Sequence, residues 1–216
     1  MEKASIIEAL NKSKESKKRN FSQSCDLIVN LKDIDLKKTE NQVDFFAQLP
    51  NGTGKPVRVC AFVDPQSVEE AKLIFDEVIS SDDFQKFGKE KKLAKRLARK
   101  FDFFVAQAGV MPHVATFFGR ALGPKGKMPN PKAGCVIPPK GNMRLIKDNL
   151  QKTIRVSART APVLQCIVGT ETMGFEKTAE NVANLYDQII HHLPNEESNV
   201  KSALVKLTMG SAFKIK

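Results

Sequence analysis

Apolar residues recur along this chain with three different periods, and each period predicts a different element. Residues 4 to 16 carry Ile6, Ile7 and Leu10 on one side, the spacing of an amphipathic helix. Cys25, Leu27, Val29 and Leu31 then alternate with Asp26, Ile28, Asn30 and Lys32. Only Ile28 breaks the polar set, so this stretch reads as a strand with one face in a core. Residues 42 to 49 and 57 to 63 read as two more strands. The turn-rich Pro50-Asn-Gly-Thr-Gly-Lys-Pro56 between them reads as a hairpin loop.

After Asp64-Pro65 the pattern changes. Residues 67 to 79 have helical spacing, with Glu69 and Glu70 near the start, where acids complement the helix dipole. Residues 86 to 100 hold eight Lys or Arg and one Glu, with a thin apolar seam of Leu93, Leu97 and Phe101. They predict a helix with a very basic face. Residues 101 to 105 form a short continuous apolar run, the mark of a strand buried on both faces. Helical spacing returns over 110 to 122 and 142 to 153, with a turn at Pro138-Pro-Lys-Gly141 before the second. Beyond Val156 the alternating style resumes. Residues 163 to 168 and 203 to 207 read as strands, and Phe213 with Ile215 as a last alternating pair. Residues 175 to 193 read as a helix with Ala179, Val182, Leu185 and Ile189 on one face.

The two ends are therefore α+β in style, with antiparallel-type strands, and the middle is α/β with parallel-type strands. Charge divides at the same places. Residues 64 to 155 hold 18 basic and 10 acidic side chains, a net +8, whereas 1–63 and 156–216 together hold a net +3. A second domain inserted at 64–155 accounts for both changes.

The chain of 216 residues has a net charge of +11 and a pI near 9.5. Such an excess points to nucleic acid, an acidic partner or an anionic surface. No apolar run is long enough to span a bilayer. The start, Met1-Glu-Lys-Ala-Ser-Ile-Ile-Glu, has no signal-peptide core, which places the chain in the cytosol. Cys25, Cys60, Cys135 and Cys166 are isolated from one another and from His, so they read as reduced structural thiols and not as a metal site. With no Trp and one Tyr, base stacking would fall to Phe or Arg.

No acidic residue lies between Asp102 and Asp148. In that stretch sits Gly119-Arg-Ala-Leu-Gly-Pro-Lys-Gly-Lys-Met-Pro-Asn-Pro-Lys-Ala-Gly134. Its prolines and glycines disfavour a regular element, and its ammonium groups and amides suit phosphate. A nucleotide P-loop would need Gly where Ala121 stands and a hydroxyl where Met128 stands, so that motif fails. A G-x-G-x-x-G turn is also absent. His113, His191 and His192 have no nucleophile and carboxylate at a recognisable spacing, so no enzyme is expected. A nucleotide-dependent enzyme with a Rossmann-like domain is the alternative reading, and no cofactor is expected on the preferred one. At the carboxy end, Lys206-Leu-Thr-Met-Gly-Ser211 offers a hydroxyl, a flexible apolar side chain and a close-approach backbone.

The segment Leu122-Gly-Pro-Lys-Gly-Lys-Met-Pro-Asn-Pro-Lys-Ala-Gly134 closely resembles the signature of the L-one family of large-subunit ribosomal proteins. Thr208-Met-Gly210, Arg19-Asn-Phe21 and Leu49-Pro-Asn-Gly-Thr-Gly-Lys-Pro-Val-Arg-Val59 fit the same family at the right separations. The resemblance covers essentially the whole chain and is archaeal in type. It implies two domains: an end-built α+β domain with antiparallel strands (1–63 plus 156–216) and an inserted Rossmann-like α/β domain (64–155). It implies a monomer within the ribosome, in the mobile stalk near the tRNA exit site, with large-subunit rRNA as principal partner. Exit-site tRNA, aided in its release, and the protein's own mRNA, repressed through a mimic of the ribosomal site, are the further partners it implies. No membrane is among them. The implied RNA contacts are Arg19, Phe21, Ser24, Asp26, Ser202, Thr208, Met209 and Gly210, with Lys125 and Lys127 on the basic loop. Many relatives carry Lys where Asn20 stands and Glu where Asp26 stands.

Overall fold

Strand β1 (Ser24–Leu31) sets the frame of the end-built unit. Its alternation is realised in space: Cys25, Leu27, Val29 and Leu31 are buried, while Asp26, Ile28 and Asn30 lie on the more open face. In the computed structural model, which describes residues 3–16, 19–36, 38, 41–138 and 141–216, the chain forms two compact units. Met1–Lys55 and Lys152–Lys216 make the first, Pro56–Gln151 the second. Lys17 and Lys18, which with Arg19 make a basic run after the first expected helix, and Pro139 and Lys140 of the expected turn, lie outside the described residues.

In the end-built unit β1 pairs antiparallel with β8 (Val163–Thr170) on one side and β9 (Val200–Leu207) on the other. β10 (Phe213–Lys214) extends the sheet beyond β9. Helices α1 (Lys3–Ser16) and α7 (Phe175–His191) bury their apolar stripes in the same core. Ile6 and Leu10 of the first and Ala179, Val182, Leu185 and Ile189 of the second are fully enclosed. Each large aliphatic chain so buried contributes roughly 1.5–3 kcal/mol. A separate antiparallel ribbon, β2 (Val43–Gln48) with β7 (Thr153–Ala158), adds Val43, Ala47, Val156 and Ala158 to this core.

The hairpin expected over residues 50 to 56 does not form. β2 pairs with β7, while β3 (Val59–Val63) enters the inserted unit. The link is tied to α7 by the buried Asn181, which donates to Gly52 O (2.7 Å) and Val168 O (2.8 Å) and accepts from Asn51 N (3.1 Å). Gly54 sits at φ +74°, and a Cβ there would meet Met173 Sδ and Thr170 Oγ1 at 2.5 Å. The glycines of this loop therefore serve docking, not a two-residue hairpin turn.

The inserted unit is a parallel sheet in the order β4-β3-β5-β6, with β4 (Glu77–Ser80), β5 (Phe103–Gln107) and β6 (Val136–Ile137). All five residues of β3 are buried, as a strand covered on both faces requires. Helices α3 (Phe84–Lys89), α4 (Lys91–Lys100) and α5 (Met111–Leu122) pack one face around Phe62, Phe84, Phe104 and Phe118. Helices α2 (Val68–Ile74) and α6 (Met143–Lys152) close the other around Val105, Ala71 and Leu150. Asn142 caps α6, accepting from Arg144 N at 3.0 Å.

Three expected elements are redrawn here. The helix expected over 67 to 79 ends at Ile74, because Ile79 is buried as the partner of Phe62 in the parallel sheet. The basic helix is two, broken at Glu90 (φ −105°, ψ 81°). Its seam is Ala94, Leu97 and Ala98, while Leu93 is exposed. The buried run at 101 to 105 becomes a strand only from Phe103; Phe101 is the extended C-cap of α4.

Candidate nucleic-acid interface

Four segments far apart in sequence meet at one end of the end-built unit. They are the approach to β1, the end of β9, the short helical turn after β8 (Glu171–Met173) and the end of α1. Buried Gln23 joins three of them. Its side-chain oxygen accepts from Met209 N at 3.0 Å, its N–H donates to Glu171 Oε2 at 2.9 Å, and its carbonyl accepts from Glu171 N at 3.0 Å. Thr208 docks beside it, donating through both N (3.0 Å) and Oγ1 (3.1 Å) to Ser24 O. Ser13 joins the fourth segment: its hydroxyl accepts from Leu207 N and donates to Ser211 O, both at 3.1 Å.

What this framework presents outward is apolar. Phe21 is 55% and Met209 53% exposed, although both are large hydrophobic side chains. Phe21 is thus a presented ring. Thr208 is exposed with its hydroxyl proton spent on Ser24 O, which leaves its oxygen free to accept. A ring, a thioether and an acceptor side by side suit a ribose or an unstacked base.

The expected site residues do not all gather there. Phe21, Ser24, Thr208, Met209 and Gly210 do, although the Ser24 side chain is buried and only its carbonyl takes part. Arg19 is exposed in the segment leading to them. Asp26 follows on the open face of β1, opposite Lys206. Burial pushes its carboxyl above the ordinary aspartate value, against the opposing pull of Lys206 and Lys55. Ser202 lies opposite Asn30, whose amide donates to its hydroxyl at 2.9 Å. Six steps along the chain lead from it to Thr208, roughly 20 Å at about 3.4 Å per residue. Gly210 is a close-approach glycine, as its type implied, but the approach is internal. A Cβ there would lie 2.6 Å from Ser13 Oγ and 3.2 Å from Ser13 O.

Lys125 and Lys127 belong to the inserted unit, where the Gly/Pro loop is ordered. Gly126 and Gly134 take left-handed conformations (φ 63° and 70°), and Asn130 accepts from Lys132 N at 2.9 Å. Lys125 is exposed. Partial desolvation, then the neighbouring Arg99 and Lys127, hold its ammonium below the usual lysine value. Lys127 is committed elsewhere: its Nζ donates to Phe101 O at 2.6 Å, closing the carboxyl end of α4. It is a structural cation first.

At the carboxyl ends of the parallel strands, where an α/β sheet of this kind would hold a nucleotide, a side chain bonds the backbone. Gln107 accepts from Asp64 N at 2.7 Å and donates to Ser67 Oγ at 2.9 Å, so it takes up the amide that a phosphate would need. Among the described residues no cluster of His, Cys, Asp or Glu could hold a metal, and no helix is long and apolar enough to cross a membrane. Burial raises all four thiols, Cys135 to about 11 and Cys166 to about 12.

Gln23, Ser13 and Glu171 escape a reading of the sequence. Ser13 alone left a trace: it lies three residues beyond Leu10 on the buried stripe of α1, a polar residue in an apolar row. Nothing local marks Gln23, whose partners are 148 and 186 residues away.

A presented apolar edge on a strongly basic chain defines a candidate binding surface. Residues 12–211 match the Ribosomal protein L1p/L10e family, and the chain belongs to that family. It is 41% identical over 213 residues to the large ribosomal subunit protein uL1 of Pyrococcus abyssi, covering 98% of this chain and 95% of that one. The uL1 protein of Methanothermobacter thermautotrophicus is 42% identical (97% and 98% covered) and that of Nanoarchaeum equitans 38% (97% and 98%). The kinship is with the archaeal type.

Proposed function

We propose that this chain is a constituent of the large ribosomal subunit and binds rRNA directly through the edge formed by Phe21, Thr208 and Met209. The observation that carries the reading is the pair of half-exposed apolar side chains, Phe21 and Met209, fixed on a hydrogen-bonded frame. Exposed apolar groups gain free energy when a base or ribose covers them. Rigid mounting lowers the entropy lost on contact. In this reading Asp26, on the open face of β1, accepts from a ribose hydroxyl, and exposed Arg19 meets a phosphate. The basic loop at Lys125 adds electrostatic attraction of the kind that serves any nearby RNA, including a tRNA at the exit site. Recognition by shape also supports a second use of the same edge: binding the protein's own mRNA where that mRNA imitates the ribosomal site, and so repressing translation.

Filter-binding titrations test this with a stalk rRNA fragment, the leader of the protein's own mRNA and random RNA. Met209→Ala should weaken binding to the rRNA fragment about tenfold, given roughly 1–3 kcal/mol for a lost base contact. Binding to random RNA should hardly change, and the leader should be affected in parallel with the rRNA. Equal loss on all three RNAs removes the edge from recognition. Release of deacylated tRNA is tested by its dissociation rate from ribosomes with and without the protein.

A further inference from the structure

The inserted unit carries a concave site that the RNA reading does not use. Between α3, α4 and α5 lies a cavity of about 550 Å³, within the size range of pockets that hold compact ligands or a few side chains. Phe87, Gly88 and Phe117 line it, and Lys89, Lys95 and Arg120 stand in its wall. The glycine matters to its shape: a Cβ on Gly88 would lie 2.7 Å from the Phe117 ring, so α3 can lie against that ring only at a residue without a side chain.

We infer that this groove docks an acidic peptide segment of a partner protein, one large apolar side chain entering between the phenylalanines. Charge complementarity selects the partner. Three cations line the groove, and none of its described lining residues is acidic. Lys86, just outside the lining, is by contrast already paired with Asp83 at 2.6 Å. The rings separate a peptide from RNA. Phe117 packs against Phe84 (centroids 6.2 Å) and Phe87 against Phe118 (5.2 Å), and both are half-buried. They form a floor for an aliphatic or aromatic side chain, not a free platform for a stacked base such as Phe21 offers.

The test uses the full chain and a fluorescein-labelled peptide with one Phe flanked on both sides by Glu and Asp. Its controls are the same peptide with Ala for Phe, the same with Lys for the acids, and a single-stranded RNA of equal length. Anisotropy should report binding of the first peptide, weakened at least tenfold by Ala for Phe and abolished by Lys for the acids. Lys95→Glu with Arg120→Glu should abolish it, and Ala121→Trp, which fills the groove without removing a charge, should weaken it at least fivefold. Circular dichroism verifies that each variant is folded. Amide shifts at Gly88 and Phe117 on peptide addition locate the contact, even should a variant fail to fold. Binding indifferent to the Phe, binding unchanged by Ala121→Trp, or shifts confined to other residues would overturn the proposal. Tighter binding of the RNA with the same dependence on Ala121→Trp would overturn it in favour of a nucleic-acid groove.

Discussion

Gly210→Ala separates two roles that a glycine in Thr-Met-Gly can play. If it serves RNA, the variant is stable and binds poorly. If it serves the fold, the free protein is weakened. The geometry favours the fold. A Cβ on Gly210 falls 2.6 Å from Ser13 Oγ, 3.2 Å from Ser13 O and 3.3 Å from Leu207 Cβ. The Ser13 hydroxyl cannot swing aside freely, being 1% exposed and bonded to Leu207 N and Ser211 O. Losing both bonds costs about 1–3 kcal/mol at roughly 0.5–1.5 each. The stiffer unfolded chain returns about 0.4–1 kcal/mol. At mid-range these leave a net loss of about 1.3 kcal/mol. The chain has one Tyr and no Trp, and Tyr186 is buried in α7, so its fluorescence reports unfolding of the end-built unit alone. The urea midpoint should fall by about 0.5–1 M for a typical slope of about 2 kcal/mol per M. In a Ser13→Ala background the same glycine change should cost clearly less, because the clashing oxygen is gone. An unchanged Tyr186 midpoint, together with weaker RNA binding, would refute the packing argument and return Gly210 to the RNA.

Three further outcomes follow from particular contacts. Lys125→Ala should lower the salt slope of RNA binding by about 1 if its ammonium meets one phosphate. Lys127→Ala should leave that slope nearly unchanged and instead destabilise the inserted unit by about 1 kcal/mol through the lost bond to Phe101 O; equal slope changes would contradict the division. The Arg155 hydrogen bond, opposed by burial and supported by Arg159, holds the Asp44 carboxyl below its ordinary value. Its contribution is therefore present above the unfolded value of about 3.9 and is lost as pH falls through the folded one. The Tyr186 urea midpoint should thus drop less steeply below about pH 4 in Asp44→Asn than in the parent, and parallel curves would dismiss the pairing. Finally, with every thiol buried and its pKa raised, a colourimetric thiol titration at mildly alkaline pH should find the native protein slow to react and all four cysteines reactive in urea. One fast native thiol would place a cysteine at the surface.

The hairpin expected at Pro50–Pro56 shows where local reading stops. The two strands that flank it are real, and the Asn-Gly and Gly turn residues are where a hairpin would want them. Yet β2 and β3 belong to different units, because Asn181 and the Gly54 contact hold the link against α7 and β8. Likewise Ile79 continues a helical period in the sequence, but its burial beside Phe62 is worth more to a strand than to the last turn of a helix.

The candidate edge was legible only in part. Phe21, Thr208 and Met209 stood out through motif and resemblance. Their mutual placement depends on Gln23, which bonds across nearly the whole chain and carries no local signature.

By itself, then, the sequence determined which faces are apolar, where basic charge collects, the α+β and α/β styles of its parts, and the family. These are local quantities, set by residue type and period. Only the tertiary structure decided which strands pair, that Lys127 closes α4 instead of standing free, that Ser202 lies far from Thr208, and that Gly210 makes room for Ser13. The pairing of β2 with β7, the Lys127 bond and the Gly210 contact are each settled by a partner more than twenty residues away in the chain, and the place of Ser202 by the spacing along a paired strand; hydrogen bonding and packing at that range leave no period to read.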